Sequence, residues 1–231
     1  MTAGGPLLAI DTATTHAVIA LGTPDGTLLE ARNWVAGYRH GEELLARIDE
    51  LLRDRRVVPA DLGGLIVGTG PGAFTGLRVG IATAKGLAHA LALPIVGVAT
   101  GTALLVASDG APGHAAGGRA ALLQPAGPSD RVLTREGERP VIIPGGSDPE
   151  LRAGERLVAV DLAGRAPESA VELGIAAHAG LASALVAAGA ARLGAGDADD
   201  LARLVPEYVT LPRGVREPPA DDGVAIAEDV G

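Results

Sequence analysis

An acidic residue and three hydroxyls stand close together near the start of the chain, in the run Asp11-Thr12-Ala13-Thr14-Thr15. They follow the apolar residues 7–10, which are typical of a buried strand. Glycine at the third position of such a turn would let backbone N–H groups approach a phosphate closely. Alanine takes that position here. We therefore interpret Asp11, Thr12, Thr14 and Thr15 as a remnant phosphate or ion turn; the alternative is that they satisfy the amides of the turn.

A glycine-rich stretch, GTGPGAFTGLRVG at 68–80, is the second candidate for phosphate chemistry. It is not a Walker A loop, because Gly76 is followed by leucine rather than by the lysine that neutralises phosphate. Residues 68–73 match the dinucleotide pattern G-x-G-x-x-A, but that site needs an acidic residue after the next strand, and Pro71 removes an amide donor. The stretch instead predicts a turn and then a helix that other helices can approach closely, through the small residues Gly76, Gly80, Ala84 and Ala88.

Other catalytic chemistry finds little support in the sequence. Cysteine is absent, which excludes disulfides and thiol catalysis. The five histidines are scattered without an H-x-x-x-H pair, so no metal site is predicted. There is no G-x-S-x-G elbow, and Thr75 is interpreted as the cap of the following helix rather than as a nucleophile. A peptidase, which needs a metal or a nucleophile, is therefore disfavoured.

Composition and charge narrow the possible partners of the 231-residue chain. Its formal net charge is −9 and aromatic residues make up only 2%, so we expect no autonomous binding to nucleic acid or to an anionic membrane. The N-terminal residues lack the basic region of a signal peptide, and no apolar run approaches the roughly 20 residues of a membrane span. We expect a soluble cytoplasmic protein.

The hydrophobic pattern predicts mixed strands and helices. Strands are expected at 7–11, 16–21, 27–35, 64–68, 94–98, 119–124, 130–134, 140–143 and 157–162, and helices at 40–55, 75–91 and 168–188. Thr100 is expected to cap a further helix, and 206–211 is expected to be a last strand or an extended segment.

A three-stranded meander followed by helix, strand and helix is the ribonuclease-H-like unit, and a looser repetition of strands and helices follows it. Two such units form the α/β fold of actin, Hsp70 and the sugar kinases (the ASKHA fold), here with a reduced second lobe. We predict an N-terminal lobe at 1–101, a C-terminal lobe at 102–212 and a mobile tail at 213–231.

Several of these stretches together resemble the bacterial TsaB (YeaZ) family. They are LLAIDTATTHAVIAL near the start, His40 with the helix GEELLARIDELL, and GTGPGAFTGLRVGIATAKGLA; the later PIVGVAT and PEYVTLPR are also similar. The likeness extends well over 7–100 and loosely over 157–212. The string GPGxFTGxRxG carries most of its specificity.

The resemblance implies a non-catalytic dimerisation subunit of the complex that forms N6-threonylcarbamoyladenosine (t6A) in tRNA. It implies pairing with a TsaD-type transferase, or with a second copy, through N-lobe helices, and binding of a TsaE-type ATPase at the junction. It also implies that ATP and metal are held by partner subunits, that this chain binds no cofactor, and that tRNA is reached only through the complex. The residues expected at the partner interface are Leu44, Leu45, Ile48, Leu51, Phe74, Thr75, Gly76, Arg78, Gly80, Ile81, Ala84 and Ala88, so Gly80→Glu and Ala84→Glu are expected to abolish pairing in a folded lobe.

The sequence departs from the family in its second lobe and leaves one alternative function open. Relatives usually carry an Asp-Ala-Arg strand in the second lobe, whereas this chain has RAALLQPAGPSDRVL there. The resemblance therefore gives no support for the surface chemistry of the second lobe or for its contacts to the TsaE-type subunit or tRNA. The alternative is a small-molecule kinase or ATPase of the actin fold that acts alone, with turnover dependent on Asp11.

Overall fold

The computed structural model describes residues 4–36, 40–109 and 119–209, and for residues 40–42 it describes only the backbone. The tail predicted at 213–231 and the end of the predicted second lobe lie outside these ranges. The boundary between the predicted lobes, at 101 and 102, falls inside a helix that follows the last strand of the first sheet.

A five-stranded sheet occupies the first part of the chain, in the order β3-β2-β1-β4-β5. The first three strands form the predicted antiparallel meander, and β4 and β5 then add in parallel beside β1. The parallel strands bring the ends of β1 and β4 to one edge of the sheet, where both candidate turns follow. The strands are β1 (Leu7–Asp11), β2 (His16–Gly22), β3 (Leu28–Val35), β4 (Gly64–Gly70) and β5 (Ile95–Ala99).

Four α-helices connect or cover the strands within the described residues. They are α1 (His40–Asp54), α2 (Phe74–Leu91), α3 (Thr100–Asp109) and α4 (Glu168–Gly194), and a short 3₁₀ turn lies at Pro59–Asp61. The capping role predicted for Thr75 is wrong, because α2 begins one residue earlier, after Ala73, which makes no side-chain capping bond. α4 extends six residues beyond its predicted end at 188.

A second sheet, in the order β8-β7-β6-β9, repeats the order of the first four strands of the first sheet. The antiparallel meander comes first, and the last strand pairs in parallel with β6. Residues 144–155 form a connection without a helix at the place that α1 takes in the first sheet. The second lobe is therefore reduced, as predicted. Its strands are β6 (Ala120–Pro125), β7 (Arg131–Arg135), β8 (Val141–Ile143) and β9 (Arg156–Ala159).

Strands β1, β2 and β4 of the first sheet are buried on both faces, which explains their nearly continuous apolar sequences, whereas every second residue of the edge strand β3 is exposed. One face packs against α1 and α2 through residues such as Leu8, Ile10 and Ile19. The other face contributes to a cluster that also contains Leu122 and Val158 of the second sheet. The two lobes therefore share a core at their junction, while a second cluster lies between the first sheet and the helices α1 and α2, and a third lies within the second lobe.

Helix α4 is the longest and most apolar element among the described residues, and it passes the length and hydropathy requirements of a membrane span, contrary to the expectation from the sequence. Half of its most apolar window is buried. Leu181, Leu185 and Val186 lie in the core shared by both sheets, so burial within the protein accounts for its composition. Ile175 of the same helix lies on another side and is 68% exposed.

The segment that follows α4 returns to the edge of the first sheet. Asp199 donates its N–H to Ile95 O and accepts from Gly97 N, while Arg192 donates to Gly97 O, so the exposed polar groups of β5 are paired. Burial acts to raise the pKa of the Asp199 carboxyl, but the bonds from Arg192 and Gly97 outweigh it and hold the pKa below its ordinary value. The strand considered at 206–211 is absent from 206–209, and residues 210 and 211 lie outside the described ranges.

Candidate functional site

The turn between β1 and β2 begins with the fully buried carboxylate of Asp11. Its Oδ1 accepts a 2.8 Å hydrogen bond from Ala13 N, and its Oδ2 accepts a 2.6 Å bond from the Thr100 hydroxyl. Thr100 Oγ1 in turn accepts from Gly70 N at 3.1 Å. Both oxygens of the acid are therefore used by the chain itself, at the point where β1, β4 and α3 meet.

Burial raises the pKa of Asp11 from 3.8 to about 6, although the bonds from Thr100 and from Ala13 N oppose the shift. The packing around the carboxyl explains one glycine of the loop. A Cβ on Gly68 would lie 1.8 Å from Asp11 Oδ2, so this position of β4 accommodates no side chain. Gly68 thus serves close packing against the acid.

The hydroxyls of the turn are also engaged within the protein. Thr12 Oγ1 donates to Gly76 O at 2.7 Å, which ties the turn to the first turn of α2. Thr14 Oγ1 donates to His16 O at 2.8 Å and lies 3.1 Å from Nε2 of His178 on α4. The structure therefore places Asp11, Thr12 and Thr14 as predicted, in one turn, but directs their polar atoms inward.

Thr15 is the exposed member of the turn, and it contacts the second lobe. Its N–H donates to Asp161 Oδ2 at 2.7 Å and its hydroxyl donates to Asp161 Oδ1 at 2.5 Å. The rings of His16 and His178 lie beside this pair, with centroids 5.0 Å apart. Burial, and then the neighbouring His16, lower the pKa of His178. Asp161 carried no signal in the sequence, because its partner is 146 residues away.

The glycine-rich loop closes over the same turn. Ala73 N donates to Ala13 O at 2.7 Å, and a Cβ on Gly72 would lie 2.2 Å from that oxygen. On the other side, Gln124 of the second sheet donates to Pro71 O at 3.4 Å. The loop therefore joins the turn to the second lobe, which agrees with the prediction that its glycines shape a turn. Among the described residues there is no group of three or more potential metal ligands.

Most residues of the predicted partner interface cannot form a surface, because their side chains are buried inside this chain. The resemblance implied pairing through these helices, but this face of α1 and α2 packs on the first sheet instead. A Cβ on Gly80 would lie 2.2 Å from Thr12 Oγ1, so the small residues of α2 admit the β1–β2 turn rather than a partner helix. The buried members are Leu44, Ile48, Leu51, Gly76, Gly80, Ile81, Ala84 and Ala88.

Four members of that predicted set are exposed: Leu45, Phe74, Thr75 and Arg78. The Arg78 guanidinium carbon lies 3.7 Å from the centre of the Phe74 ring, and Nε of Arg78 donates to the Tyr208 hydroxyl at 3.0 Å. The two rings are 5.3 Å apart. Tyr208 was missed as a surface residue of this cluster; the aromatic residue in the motif PEYVT was the available signal.

Comparisons with known proteins agree with this architecture. A profile of the family described as "TsaD: tRNA N6-adenosine threonylcarbamoyltransferase" matches residues 34–129. An uncharacterised protein of Mycobacterium leprae is 40% identical over 107 residues, which are 45% of this chain and 30% of that protein. The tRNA threonylcarbamoyladenosine biosynthesis protein TsaB of Escherichia coli is 39% identical over 94 residues, which are 41% of this chain and 40% of that protein. The chain thus spans less than half the length of these curated relatives.

A solved structure extends the likeness to nearly the whole chain. YeaZ from Pseudomonas aeruginosa superposes with a TM-score of 0.66 at 24% identity, covering 89% of this chain and 100% of that one. Two sheets of the same strand order around a shared core define a two-lobed α/β protein of the ASKHA fold. Within that class, the chain is similar to curated TsaB proteins at 35–39% identity over 94–102 residues.

Proposed function

We propose that the chain acts in the formation of t6A in tRNA, as a non-catalytic dimerisation subunit that activates a TsaD-type transferase. The relatives named for t6A biosynthesis, and the family profile named for the transferase, support the choice of pathway and partner. In this proposal the transferase holds ATP and metal, a TsaE-type ATPase joins the complex, and tRNA is reached only through it. The complex works in the cytoplasm.

One observation carries the non-catalytic part of the proposal. Both oxygens of the Asp11 carboxylate accept bonds from the chain's own Ala13 and Thr100. A catalytic or metal-binding carboxylate must present at least one oxygen to its ligand, whereas the Asp11 side chain is fully buried. The acid whose position first suggested phosphate chemistry therefore fits a structural role.

The outer faces of α1 and α2 are the proposed partner surface. Leu45 on α1 is 55% exposed, and Phe74 and Arg78 form an exposed cluster at the start of α2. Exposed Ala82 and Gly86 follow on α2, and a Cβ at Gly86 would meet nothing within 4 Å. A helix lined by small residues lets a partner backbone approach closely, while exposed apolar and arginine side chains supply the energy of association.

The test is reconstitution. The purified chain is mixed with a TsaD-type transferase and its mass is followed by light scattering, and the same samples are assayed for threonylcarbamoyl transfer to tRNA with the TsaE-type subunit and the activated intermediate present. We expect a heteromeric complex and transfer that requires this chain. Transfer at the same rate without the chain would overturn the proposal. If no complex forms and the isolated chain turns over ATP in a way that Asp11→Ala abolishes, the kinase or ATPase alternative is correct.

A further inference from the structure

A cavity of about 420 Å³ lies at one end of the second sheet. Arg119 and Ala120, at the start of β6, form part of its lining, together with Asp109 at the end of α3. The other end of β6 contacts the glycine-rich loop, through the bond from Gln124 to Pro71. The cavity is therefore separate from the candidate turn, and its volume suits a small molecule, whose sites typically measure about 300–1,000 Å³.

Arg135 and Glu155 form a buried ion pair in the wall of this cavity. Nε and one terminal nitrogen of Arg135 donate to the two oxygens of Glu155, at 2.7 and 3.0 Å. The Glu155 side chain is only 2% exposed, and the bond from Arg135 holds its pKa below the ordinary value although burial opposes the shift. These two charges therefore satisfy each other and are not offered to a ligand.

Three further charges of the lining are also matched by the chain. Arg152 donates to both carboxylate oxygens of Glu138. Asp109 accepts from Arg156 of β9. Because bidentate pairing between a guanidinium and a carboxylate fixes both side chains in one geometry, Arg152 and Glu138 shape the cavity rather than provide it with a free charge.

Arg119 and Glu136 are the two lining charges that remain. Both residues are exposed, and within the described part of the chain neither side chain takes part in a hydrogen bond or an ion pair, with the other or with a third group. Leu105 and Ala120 add apolar surface to the same cavity. The cavity therefore offers a ligand one positive charge, one negative charge and an apolar wall.

We propose that this cavity binds a small zwitterion, either an amino acid or a dipeptide, with the carboxylate at Arg119 and the ammonium group at Glu136. A guanidinium binds a carboxylate through two parallel hydrogen bonds, and an ammonium group donates strongly to a carboxylate. A ligand with a single charge would leave one of the two residues without a partner, whereas a zwitterion matches both. Its aliphatic part would pack against Leu105 and Ala120. The proposal goes beyond the role in t6A formation and does not depend on a partner subunit.

The test is an NMR titration of the full, nitrogen-15-labelled chain with L-leucine and with glycyl-L-leucine. Two analogues of leucine separate the charges: 4-methylpentanoate lacks the ammonium group, and isoamylamine lacks the carboxylate. The variants are Arg119→Gln and Glu136→Gln, which are expected to fold because both residues are exposed and unpaired in the described structure. Arg139→Gln and Glu172→Gln, at exposed residues outside the lining, are the matched controls for each change of charge.

We expect one of the two zwitterions to cause saturable shifts at the amides of Ala120 and Glu136, and the tighter of the two distinguishes an amino acid from a dipeptide. Arg119→Gln and Glu136→Gln should each weaken that binding by about tenfold, because each removes a hydrogen bond to a charged group, while the two controls bind as the unmodified chain does. Arg119→Gln should leave the binding of isoamylamine unchanged, and Glu136→Gln that of 4-methylpentanoate.

Three results would overturn the proposal. The first is the absence of saturable shifts with either zwitterion, and the second is shifts confined to residues away from the cavity. The third is equally tight binding of leucine and one of its singly charged analogues, which would indicate a simple anion or cation site. None of these results bears on complex formation with a transferase, which is measured separately by light scattering.

Discussion

The hydroxyl of Thr100 donates a 2.6 Å hydrogen bond to Oδ2 of Asp11, across 89 positions of sequence. Thr100 was expected to cap α3, but it is the first residue of that helix and its side chain turns to the acid instead. The bond connects the end of β1 to the start of α3. The bond commits one oxygen of the Asp11 carboxylate to the fold, and the burial of that carboxylate makes its ionisation measurable as a change in stability.

The pH dependence of stability should therefore change when Asp11 is replaced. The folded-state pKa of about 6 lies above the ordinary 3.8, so protonated Asp11 favours folding below about pH 4 and this contribution is lost as the pH rises through 6. Between these limits the loss is on the order of 3 kcal/mol. Urea unfolding of the unmodified chain and of Asp11→Asn, from about pH 4 to about pH 7.5, measures it.

The difference between the two proteins isolates Asp11, since other titrating groups contribute to both. We expect the free energy of unfolding of the unmodified chain to fall relative to Asp11→Asn across that window. Thr100→Val, which removes the donor to the carboxylate, is expected to enlarge the fall, because that bond favours the charged form. A difference that stays constant with pH would contradict a raised pKa.

Two glycines of α2 should respond to alanine in opposite directions. A Cβ at Gly80 would lie 2.2 Å from Thr12 Oγ1, in a buried contact, and overpacking of this kind costs about 1–3 kcal/mol. A Cβ at Gly86 would meet nothing within 4 Å, and alanine inside a helix is more favourable than glycine by about 1 kcal/mol. Urea unfolding of Gly80→Ala and Gly86→Ala measures both; equal effects would mean that Gly80 does not pack against the turn.

The contrast between these glycines shows which features of the structure the sequence could predict. Apolar runs and turn residues located every strand of both sheets to within a few residues, because burial on two faces and tight connections leave a local pattern. The looser repetition of strands and helices along the chain predicted the two-lobed fold. The sequence did not predict what packs against the small-residue face of α2. Gly80 and Thr12 are far apart in sequence, and periodicity identifies a face of a helix without identifying what covers it.

The candidate site was predictable to the same degree. The turn at Asp11 was located from residue types, but its engagement with Thr100 and Asp161 depends on contacts between distant elements. The left-handed backbone of Asp161 has no local signature either. Sequence reasoning therefore found the groups that could bind phosphate and missed the groups of the chain that satisfy them.

Substitutions at two alanines of α2 distinguish the proposed partner surface from the core. Ala82 is exposed on the outer face of the helix, whereas Ala84 is fully buried. We expect Ala82→Glu to leave the thermal unfolding midpoint nearly unchanged and to weaken the complex with a TsaD-type transferase by about tenfold or more, because a charge is then buried at the interface. Ala84→Glu is expected to unfold the chain. Light scattering and calorimetry give both quantities, and full-strength binding by Ala82→Glu would move the interface elsewhere.

The edge of the first sheet provides the last prediction, since one carboxylate substitutes there for a neighbouring strand. Asp199 Oδ2 accepts from Gly97 N at 2.6 Å and also binds Arg192, whereas Asp197 binds only the same arginine and is 62% exposed. Asp199→Ala leaves the N–H of Gly97 without its acceptor and removes one of the two carboxylates that bind Arg192, which costs about 1–3 kcal/mol. Asp197→Ala removes one solvent-exposed ion pair, worth about 0–1 kcal/mol.

Urea unfolding compares the two losses, and hydrogen exchange at Gly97 N locates the cause. We expect Asp199→Ala to be the less stable variant and to exchange the Gly97 amide faster, because an edge strand without its covering acceptor opens more readily. Asp197→Ala is expected to leave that amide protected. If both variants lose the same stability and Gly97 exchanges at an unchanged rate, the Arg192–Asp199 pair does not protect the edge of β5.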